Sequence, residues 1–476
     1  MRILELPIIK TLLRISAILV IVPTICLAAS MPATRPIDGP LHVHRQNPRY
    51  FTDNSGRAIL LTGSHIWNSL QDMGQTDPPA AFDFDAYLEF LAKHHHNFIR
   101  LWRWELVSWD TKANREESPR HLICAPQPWP RTGPGIALDG KPKFNLEQFD
   151  EAYFKRLRSR VAAARDRGIY VSIMLFEGWG LRFVPDGWKG HPFHPASNIN
   201  GLQGQFKADM KGIELFTLAS PRVTALQEAY VRKVLDTVND LDNVLYEIAN
   251  ESDFSTTDWQ YHLIRFIKAY EAGKPKQHPV GMTSIGFGGA PTDLNRLLKS
   301  PADWISPNPD RFDYKGNPPA ADGTKVVLLD TDHLWGMGGD VPWVWKSFTR
   351  GLNPIFMDPY RRSVLDRGAE AQWESVRSAM GVARRLAERI ELATMTPHDD
   401  LADSGYCLAH PGREYVVYVP EGGAVMVDLS AAGPLQMEWI DPIDGTATAA
   451  SPVTGGAKRT LKPPFRRGAV VHLWSR

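Results

Sequence analysis

The chain has 476 residues, of which 43% are hydrophobic and 22% are charged, and its formal net charge is +1 at pH 7. This is the composition of an ordinary globular chain, and the length predicts two or three domains or one large barrel with an appendage. Residues 1–28 carry three basic groups and one acidic group, so without them the net charge is +1 − 2 = −1. Such a charge, without basic clusters, argues against a nucleic acid or an anionic membrane as partner.

The first 29 residues predict a secretory signal peptide. Three basic residues precede an apolar run over 15–29, which closes on small residues near Ala28. This order is typical of an export signal with its cleavage site. An uncleaved membrane anchor is the alternative, but the run is shorter than the roughly 20 residues needed to span a bilayer, and Pro23 interrupts it. We therefore expect a secreted or periplasmic protein.

Two cysteines remain after cleavage, Cys124 and Cys407. They permit at most one disulfide, and we expect them in different domains, so two free buried thiols are an equally good interpretation. A large hydrophobic core, rather than a cysteine framework, must hold the fold together.

Strand-like and helical patterns alternate over about 350 residues. Apolar runs of strand length are separated by segments with helical spacing of apolar residues. The strand-like runs lie at 58–62, 97–101, 169–175, 244–249, 279–283, 303–306, 325–333 and 353–358. Eight such runs alternating with helices predict an α/β fold of the (β/α)8 TIM-barrel type over residues 40–392.

The fourth run contains the first catalytic candidate. It ends abruptly in Asn250-Glu251, which places a carboxylate at the carboxyl end of a buried strand, the rim where α/β barrels carry their chemistry. In sugar chemistry an amide such as that of Asn250 can bind a hydroxyl next to the reacting carbon. A cap on the following helix is the simpler alternative for both residues.

Two facing carboxyl groups are an arrangement that hydrolyses glycosidic bonds, and the seventh run supplies two candidates for a second carboxylate. It ends in Asp330-Thr331-Asp332-His333. Strand alternation places Asp330 and Asp332 on one side, so either can face the barrel axis as nucleophile or base, with Asp332 preferred. Because Asp is one methylene shorter than Glu, the gap between the carboxyl groups can suit either a retaining or an inverting reaction. A turn cap or a calcium ligand pair is the alternative role.

Further polar and aromatic residues fall at inferred strand ends or in long rim loops, around residues 107–143 and 182–217. Indole faces suit the apolar face of a neutral, polyhydroxylated ligand, although single Trp and His residues often belong to the core. The substrate-binding candidates beyond Asn250 are Arg100, His333, His65, Trp67, Trp102, Trp104, Glu177, Trp335 and Asp358.

The pattern changes after residue 393. Short apolar runs separated by turns such as Glu421-Gly-Gly and Asp444-Gly predict a small antiparallel β-sandwich over 393–476. It can bind glycan or protein, or it can simply pack on the barrel, and the last role is favoured because no aromatic platform is evident.

The stretch Tyr246-Glu-Ile-Ala-Asn-Glu251 resembles the fourth-strand motif of the (β/α)8 glycoside hydrolases. Over residues 40–476 the chain resembles the cellulase-like or apiosidase-like members that carry a C-terminal β-sandwich of the collagen-binding type. The resemblance implies that Glu251 is the general acid/base, that Arg100 supports the nucleophile and that the reaction retains configuration. The chain departs from the pattern at strand seven, where the family has Glu.

These observations predict a monomeric, secreted glycoside hydrolase with a carbohydrate substrate and with neither a metal nor an organic cofactor. Two other functions stay open. A glycan- or matrix-binding protein on a barrel without activity would explain the missing strand-seven Glu. A metal-dependent hydrolase would use Asp330, Asp332, His333 and His65.

Overall fold

A computed structural model describes residues 36–207, 211–283, 292–309, 312–368, 370–464 and 466–475. The predicted signal peptide lies outside these residues. Within the described part, no helix combines the length and apolar character needed to cross a membrane. Cys124 and Cys407 are both free and buried.

Eight parallel strands form one sheet, in the order β1-β8-β7-β6-β5-β4-β3-β2. A parallel bridge between Ile66 and Leu101 joins the sheet's two edges just beyond β1. The strands are β1 (Gly63–His65), β2 (Phe98–Leu101), β3 (Tyr170–Glu177), β4 (Val244–Asn250), β5 (Val280–Thr283), β6 (Trp304–Ser306), β7 (Val326–Asp330) and β8 (Asn353–Met357). This confirms the predicted (β/α)8 barrel.

The first strand is shifted from its predicted position. The prediction used the apolar run 58–62, but β1 begins at Gly63. Just before β1, side chains take the place of the backbone hydrogen bonds of a strand. The backbone N–H of Leu61 donates to Asn353 Oδ1 at 3.0 Å, and that of Thr62 donates to Asn97 Oδ1 at 2.9 Å. Gly63 is required there, because a Cβ would lie 2.0 Å from the carbonyl oxygen of Phe98.

Helices follow most of the barrel strands. They bury apolar faces at helical spacing, as Tyr87, Leu88 and Leu91 do in the first of them. The helices are α1 (Phe84–Lys93), α2 (Glu151–Arg165), α3 (Pro221–Val238), α4 (Thr257–Glu271), α5 (Thr292–Lys299), α6 (Val341–Thr349) and α7 (Glu374–Arg389). Between β6 and β7, the described residues 307–309 and 312–325 contain no helix.

The C-terminal segment forms two antiparallel sheets, as predicted. The first has the order β9-β10-β11-β16-β13-β14, and the second pairs β12 with β15. Their strands are β9 (Thr396–Pro397), β10 (Cys407–His410), β11 (Glu414–Val419), β12 (Val425–Asp428), β13 (Leu435–Ile440), β14 (Ala447–Val453), β15 (Lys458–Leu461) and β16 (Ala469–Trp474).

Strand β11 of the larger sheet is buried on both faces. In β11, Tyr415 and Val417 join the core between the two sheets, whereas Val416 and Tyr418 join the core that contains α6 and α7. The ring of Trp345 in α6 stacks on Tyr418 with 6.2 Å between centroids. The sandwich therefore packs on the barrel helices, and the predicted boundary at residues 392 and 393 stays a prediction.

Candidate active site

A cavity of about 660 Å³ opens at the carboxyl ends of the barrel strands. This is the end at which loops surround a pocket while the strands hold their last residues rigidly. Its wall consists of Trp67, Trp102, Trp104, Ala113, Asn114, Arg115, Trp179, Phe183, Asn250, Glu251, Asp332, His333, Leu334, Trp335, Gly336, Met337 and Met357. We call it the barrel cavity.

Glu251 and Asp332 face each other across this cavity. One carboxylate oxygen of each, together with a ring nitrogen of His333, lies within 4.8 Å of the others. Glu251 follows the last residue of β4 and has a φ of 44°, in the left-handed region that non-glycine residues rarely adopt. Such strain persists where surrounding structure imposes it, often at functional sites. Two acidic groups from strands four and seven therefore meet at one site.

The backbone around Glu251 is held by neighbouring loops. Its carbonyl oxygen accepts a hydrogen bond from Arg182 Nη1 at 2.8 Å, and the carbonyl of Asn250 accepts one from the N–H of Gly178 at 2.8 Å. A Cβ at Gly178 would lie 2.6 Å from the Cα of Ser252, so only glycine permits this close approach. The strained turn is thus fixed before substrate arrives.

Arg100 holds the carboxylates beneath the cavity. Its buried guanidinium has three carboxylate partners. It donates to Glu247 at 2.9 and 2.6 Å, to Asp330 Oδ2 at 3.0 Å and to Asp332 Oδ2 at 3.1 Å. It also donates to Asn250 Oδ1 at 2.8 Å. Arg100 therefore connects β2, β4 and β7 at the level where the chemistry would occur.

The structure separates the two aspartates by environment. Asp330 ends β7 and is buried, and it accepts hydrogen bonds from His65 Nε2 at 2.9 Å, from the backbone N–H of Asp332 at 2.9 Å and from Arg100. Asp332 lies in the 3₁₀ turn Thr331–His333, and its side chain reaches the cavity wall. Asp330 thus supports Arg100 and the turn, while Asp332 faces the cavity.

Burial and charge shift the pKa values of the facing pair. Burial, together with the charges of Asp332 and Glu177, raises the pKa of Glu251 well above its ordinary value. Burial raises the pKa of Asp332 to about 6, although Arg100 opposes the shift. For Asp330, His65 and Arg100 outweigh burial and lower the pKa. At neutral pH the pair thus favours a protonated Glu251 beside an ionised Asp332.

Asn250 is oriented by its neighbours. Arg100 has no acceptor, so the amide oxygen of Asn250 must face it, and His333 Nε2 lies 3.2 Å from the same oxygen. Burial and the charge of Arg100 lower the pKa of His333 to about 3, so the ring is neutral, and its Nδ1 lies 2.9 Å from Ser306 Oγ. The NH2 group of Asn250 is left to donate toward the cavity.

The predicted aromatic residues all lie on the cavity wall but differ in access. Trp67, Trp102 and Trp104 are buried in one aromatic cluster, whereas Trp335 is 37% exposed. Trp179 is half-buried and Phe183 is 39% exposed, on the short helix Trp179–Phe183. Trp335, Trp179 and Phe183 therefore offer open ring surface, while the other three form the floor.

Besides Arg100, three predicted substrate contacts lie off the cavity wall as the structure describes it, and each has protein partners. Glu177 accepts hydrogen bonds from the backbone N–H groups of Trp179 and Gly180 at 2.6 and 2.9 Å. Asp358 is buried against Arg377. His65 is buried, bonded to Asp330 and stacked on Trp102. These three residues support the site from behind.

Sequence reasoning missed several participants. Glu247, the bidentate partner of Arg100, was detectable as a charged residue inside an otherwise apolar strand. Ser306 ends the weak sixth strand and contacts His333. Asn114 and Arg115 lie on the cavity wall, but no local signal distinguishes them within the long rim loop around residues 107–143.

One family model matches residues 115–285, and it describes a domain of unknown function, DUF6298. No curated protein matches the chain. The matched segment spans β3 and β4 and includes Glu251, but it covers less than half of the sequence.

Solved structures match over nearly the whole chain. A glycoside hydrolase aligns with a TM-score of 0.59 and 12% identity, covering 93% of this chain and 99% of its own. A glycoside hydrolase of family 5 from Bacteroides vulgatus ATCC 8482 aligns with a TM-score of 0.61 and 12% identity, covering 93% and 95%. These likenesses confirm the fold that the resemblance over residues 40–476 implied, a barrel with C-terminal antiparallel sheets.

Proposed function

We propose that this protein is a glycoside hydrolase that cleaves O-glycosidic bonds of a polysaccharide or oligosaccharide with retention of configuration. The observation that carries the proposal is the approach of Glu251 and Asp332, whose nearest carboxylate oxygens lie within 4.8 Å. Retaining glycosidases hold their carboxyl groups about 5–5.5 Å apart, whereas inverting enzymes need roughly 6.5–9.5 Å to admit a water. An approach this close supports the shorter, retaining spacing rather than the inverting one.

The two groups have the protonation states that the double displacement needs. Glu251 donates its proton to the leaving oxygen while Asp332 attacks the anomeric carbon, which forms a glycosyl ester and releases the alcohol. Glu251, now ionised, takes a proton from water, and the water oxygen displaces Asp332. Burial and the charge of Asp332 keep the proton on Glu251 before the first step.

Other wall residues would hold the sugar. The NH2 group of Asn250 is positioned to bind a hydroxyl next to the anomeric carbon, a bond that strengthens in the transition state. Trp335 and Trp179 provide ring faces for the apolar side of a pyranose.

The proposal predicts release of reducing sugar from at least one member of a polysaccharide and oligosaccharide panel. Proton NMR during the first minutes, before mutarotation, should show a product anomer of the same configuration as the substrate. The opposite anomer would exclude the double displacement. Binding without turnover across the panel, equal in the wild type and in Glu251→Gln, would favour a glycan-binding protein instead.

The pH dependence of activity should follow the ionisation of Asp332 and Glu251. Activity requires Asp332 ionised and Glu251 protonated, so kcat/KM should fall about tenfold per unit below pH 6, where Asp332 takes up its proton. It should fall again on the alkaline side as Glu251 loses its proton, because its pKa is raised. An acid limb near pH 4, the ordinary range of Asp, would contradict a buried Asp332 acting as nucleophile.

A metal-dependent reaction is the other candidate, because oxygen and nitrogen atoms of Glu251, Asp332 and His333 are close enough to share an ion. The neighbouring contacts favour the carboxylate mechanism. Arg100 already places a cation on Asp332, and His65 is engaged with Asp330. Activity that survives prolonged dialysis against a chelator would support the carboxylate mechanism, and loss that a divalent ion restores would overturn it.

Export is part of the proposal and rests on the basic and apolar pattern of residues 1–29. Mass spectrometry of the protein recovered from culture medium or periplasm should show an N-terminus near residue 29 or 30.

A further inference from the structure

The wall of the barrel cavity includes one arginine, Arg115. Beyond Glu251, Asp332 and His333, which the proposed reaction uses, Arg115 is the ionisable residue among the described wall residues. Its side chain is exposed, and within the described ranges it has no ion pair or side-chain hydrogen bond. An arginine on a cavity wall with an unused guanidinium is a recognition group for carboxylates and sulfates, since it presents a planar fork of donors.

The backbone of Arg115 is strained in a way that glycine would relieve. Arg115 ends the 3₁₀ turn Thr111–Asn114 with φ 56° and ψ 30°, a left-handed conformation. That conformation is less favourable for a residue with a Cβ than for glycine. An arginine there keeps the turn at a cost in stability, which is consistent with a role for its side chain.

The loop around Arg115 is braced, so its position is preorganised. Thr111 Oγ1 donates to Glu116 Oε2 at 2.8 Å and accepts from the backbone N–H of Arg120 at 2.7 Å. The Glu116 carboxylate also accepts from Arg120 at 2.8 and 3.0 Å and from Arg367 at 2.6 Å. The adjacent acidic residue is therefore already neutralised by two arginines and does not compensate the charge of Arg115.

A second cation lies over another part of the wall. Lys315 Nζ is 5.6 Å from the ring centroid of Trp335, the most exposed indole of the cavity. Across the ranges that the structure covers, no carboxylate pairs with this ammonium. Because Trp335 offers a stacking face for a sugar, a cation beside it lies within reach of that sugar's substituents.

From this placement we infer that the preferred substrate is an anionic glycan, with a uronate carboxylate or a sulfate ester bound by Arg115. This inference rests on the proposed function, whose site it extends. Uronates and sulfate esters share the chemistry that a guanidinium recognises, a delocalised anion with two accessible oxygens.

The test compares three oligosaccharide series with matched backbones: one with uronic acids, one with the carboxyl groups reduced to neutral alcohols, and one sulfated. For the wild type, kcat/KM should be at least about tenfold higher on one anionic series than on the neutral series, the size of one charge-assisted hydrogen bond. The preference should shrink as salt rises from 20 to 500 mM, because the cation is exposed.

Variants assign the preference to Arg115. Arg115→Gln and Arg115→Gly should bring the anionic-to-neutral ratio of kcat/KM close to one. The Gly variant also relieves the backbone strain. Equal ratios in both variants would therefore show that the preference depends on the charge of Arg115 and not on a change in the folded turn. Lys112→Gln removes an exposed cation of the same turn that is not on the described wall, and it should keep the wild-type ratio.

Failure of this inference differs from failure of the proposed function. Turnover of neutral and anionic series at equal rates, or an anionic preference that survives Arg115→Gln, overturns the anionic-substrate inference and leaves the hydrolase intact. If no series is cleaved, calorimetric binding of the same oligosaccharides decides. If the wild type binds the anionic series more tightly than the neutral one and Arg115→Gln loses this preference, the anionic ligand class is supported without the reaction. If the wild type shows no such preference, the inference is rejected.

Discussion

Replacing Glu251 by Gln should lower kcat/KM on a natural glycan by about 10³-fold, within the range that general acid catalysis contributes. The amide keeps the size of the side chain but cannot donate a proton to the leaving oxygen. On an aryl glycoside with a strongly acidic phenol the first step needs little protonation, so glycosyl-enzyme formation should be nearly unaffected and its hydrolysis should become rate-limiting. A burst of phenol followed by slow turnover is the expected signature.

Glu177→Gln is the matched control for this variant. Glu177 is also a buried carboxylate at a strand end, and burial raises its pKa to about 8, so at pH 6 it is neutral and Gln is close to isosteric with it. We expect a loss of less than about tenfold, reflecting weaker capping of the helix that carries Trp179. An equal loss in both variants, with the same leaving-group dependence, would contradict the assignment of Glu251 as acid.

Asp332→Asn should abolish turnover, with a loss of at least about 10³-fold on every substrate, including aryl glycosides with good leaving groups. Without an ionised oxygen at this position no glycosyl ester forms. Stability should not fall, because burial disfavours the charge of Asp332 and the amide oxygen can still accept from Arg100. In Asp332→Ala, added azide should enter the vacated space and yield a glycosyl azide of inverted configuration.

Asp330→Asn distinguishes the two aspartates. The carboxylate of Asp330 accepts from His65, Arg100 and a backbone N–H, and an amide cannot accept from all of them. An unsatisfied buried group costs about 1–3 kcal/mol, so Tm should fall by several degrees, with a smaller loss of activity than in Asp332→Asn. Azide should not rescue it. Full activity of Asp332→Asn, or azide rescue of an Asp330 variant, would exchange the two roles.

The arrangement around Arg100 explains why these two substitutions differ. One guanidinium contacts Glu247, Asp330 and Asp332, so it compensates a negative charge that burial would otherwise neutralise by protonation. Of the two aspartates, Asp330 has a lowered pKa, and Asp332 is left with a raised pKa at the cavity. A nucleophile that is ionised but poorly solvated is well suited to attack carbon.

Much of the fold is readable from local pattern. Apolar runs of strand length alternate with helical periods in 40–392, and short alternating runs follow from 393, so both architectures were predicted correctly. The errors lie at boundaries. Strand β1 begins at Gly63 rather than within 58–62, because side chains of Asn97 and Asn353 satisfy the preceding backbone, and those contacts come from residues distant in sequence.

By itself, the sequence determined which residues stand at strand ends, and hence that Glu251, Asp330 and Asp332 lie at one rim. Only the tertiary structure distinguished the roles of the two aspartates. Two aspartates two positions apart look equivalent under strand alternation, yet the turn after Asp330 puts one beneath Arg100 and the other on the cavity wall. The contacts that separate them span 230 residues for Arg100 and Asp330 and 265 for His65 and Asp330. The periodicity of a segment shows which of its faces is apolar. It does not show which side chains from distant parts of the sequence will contact that face once the barrel closes.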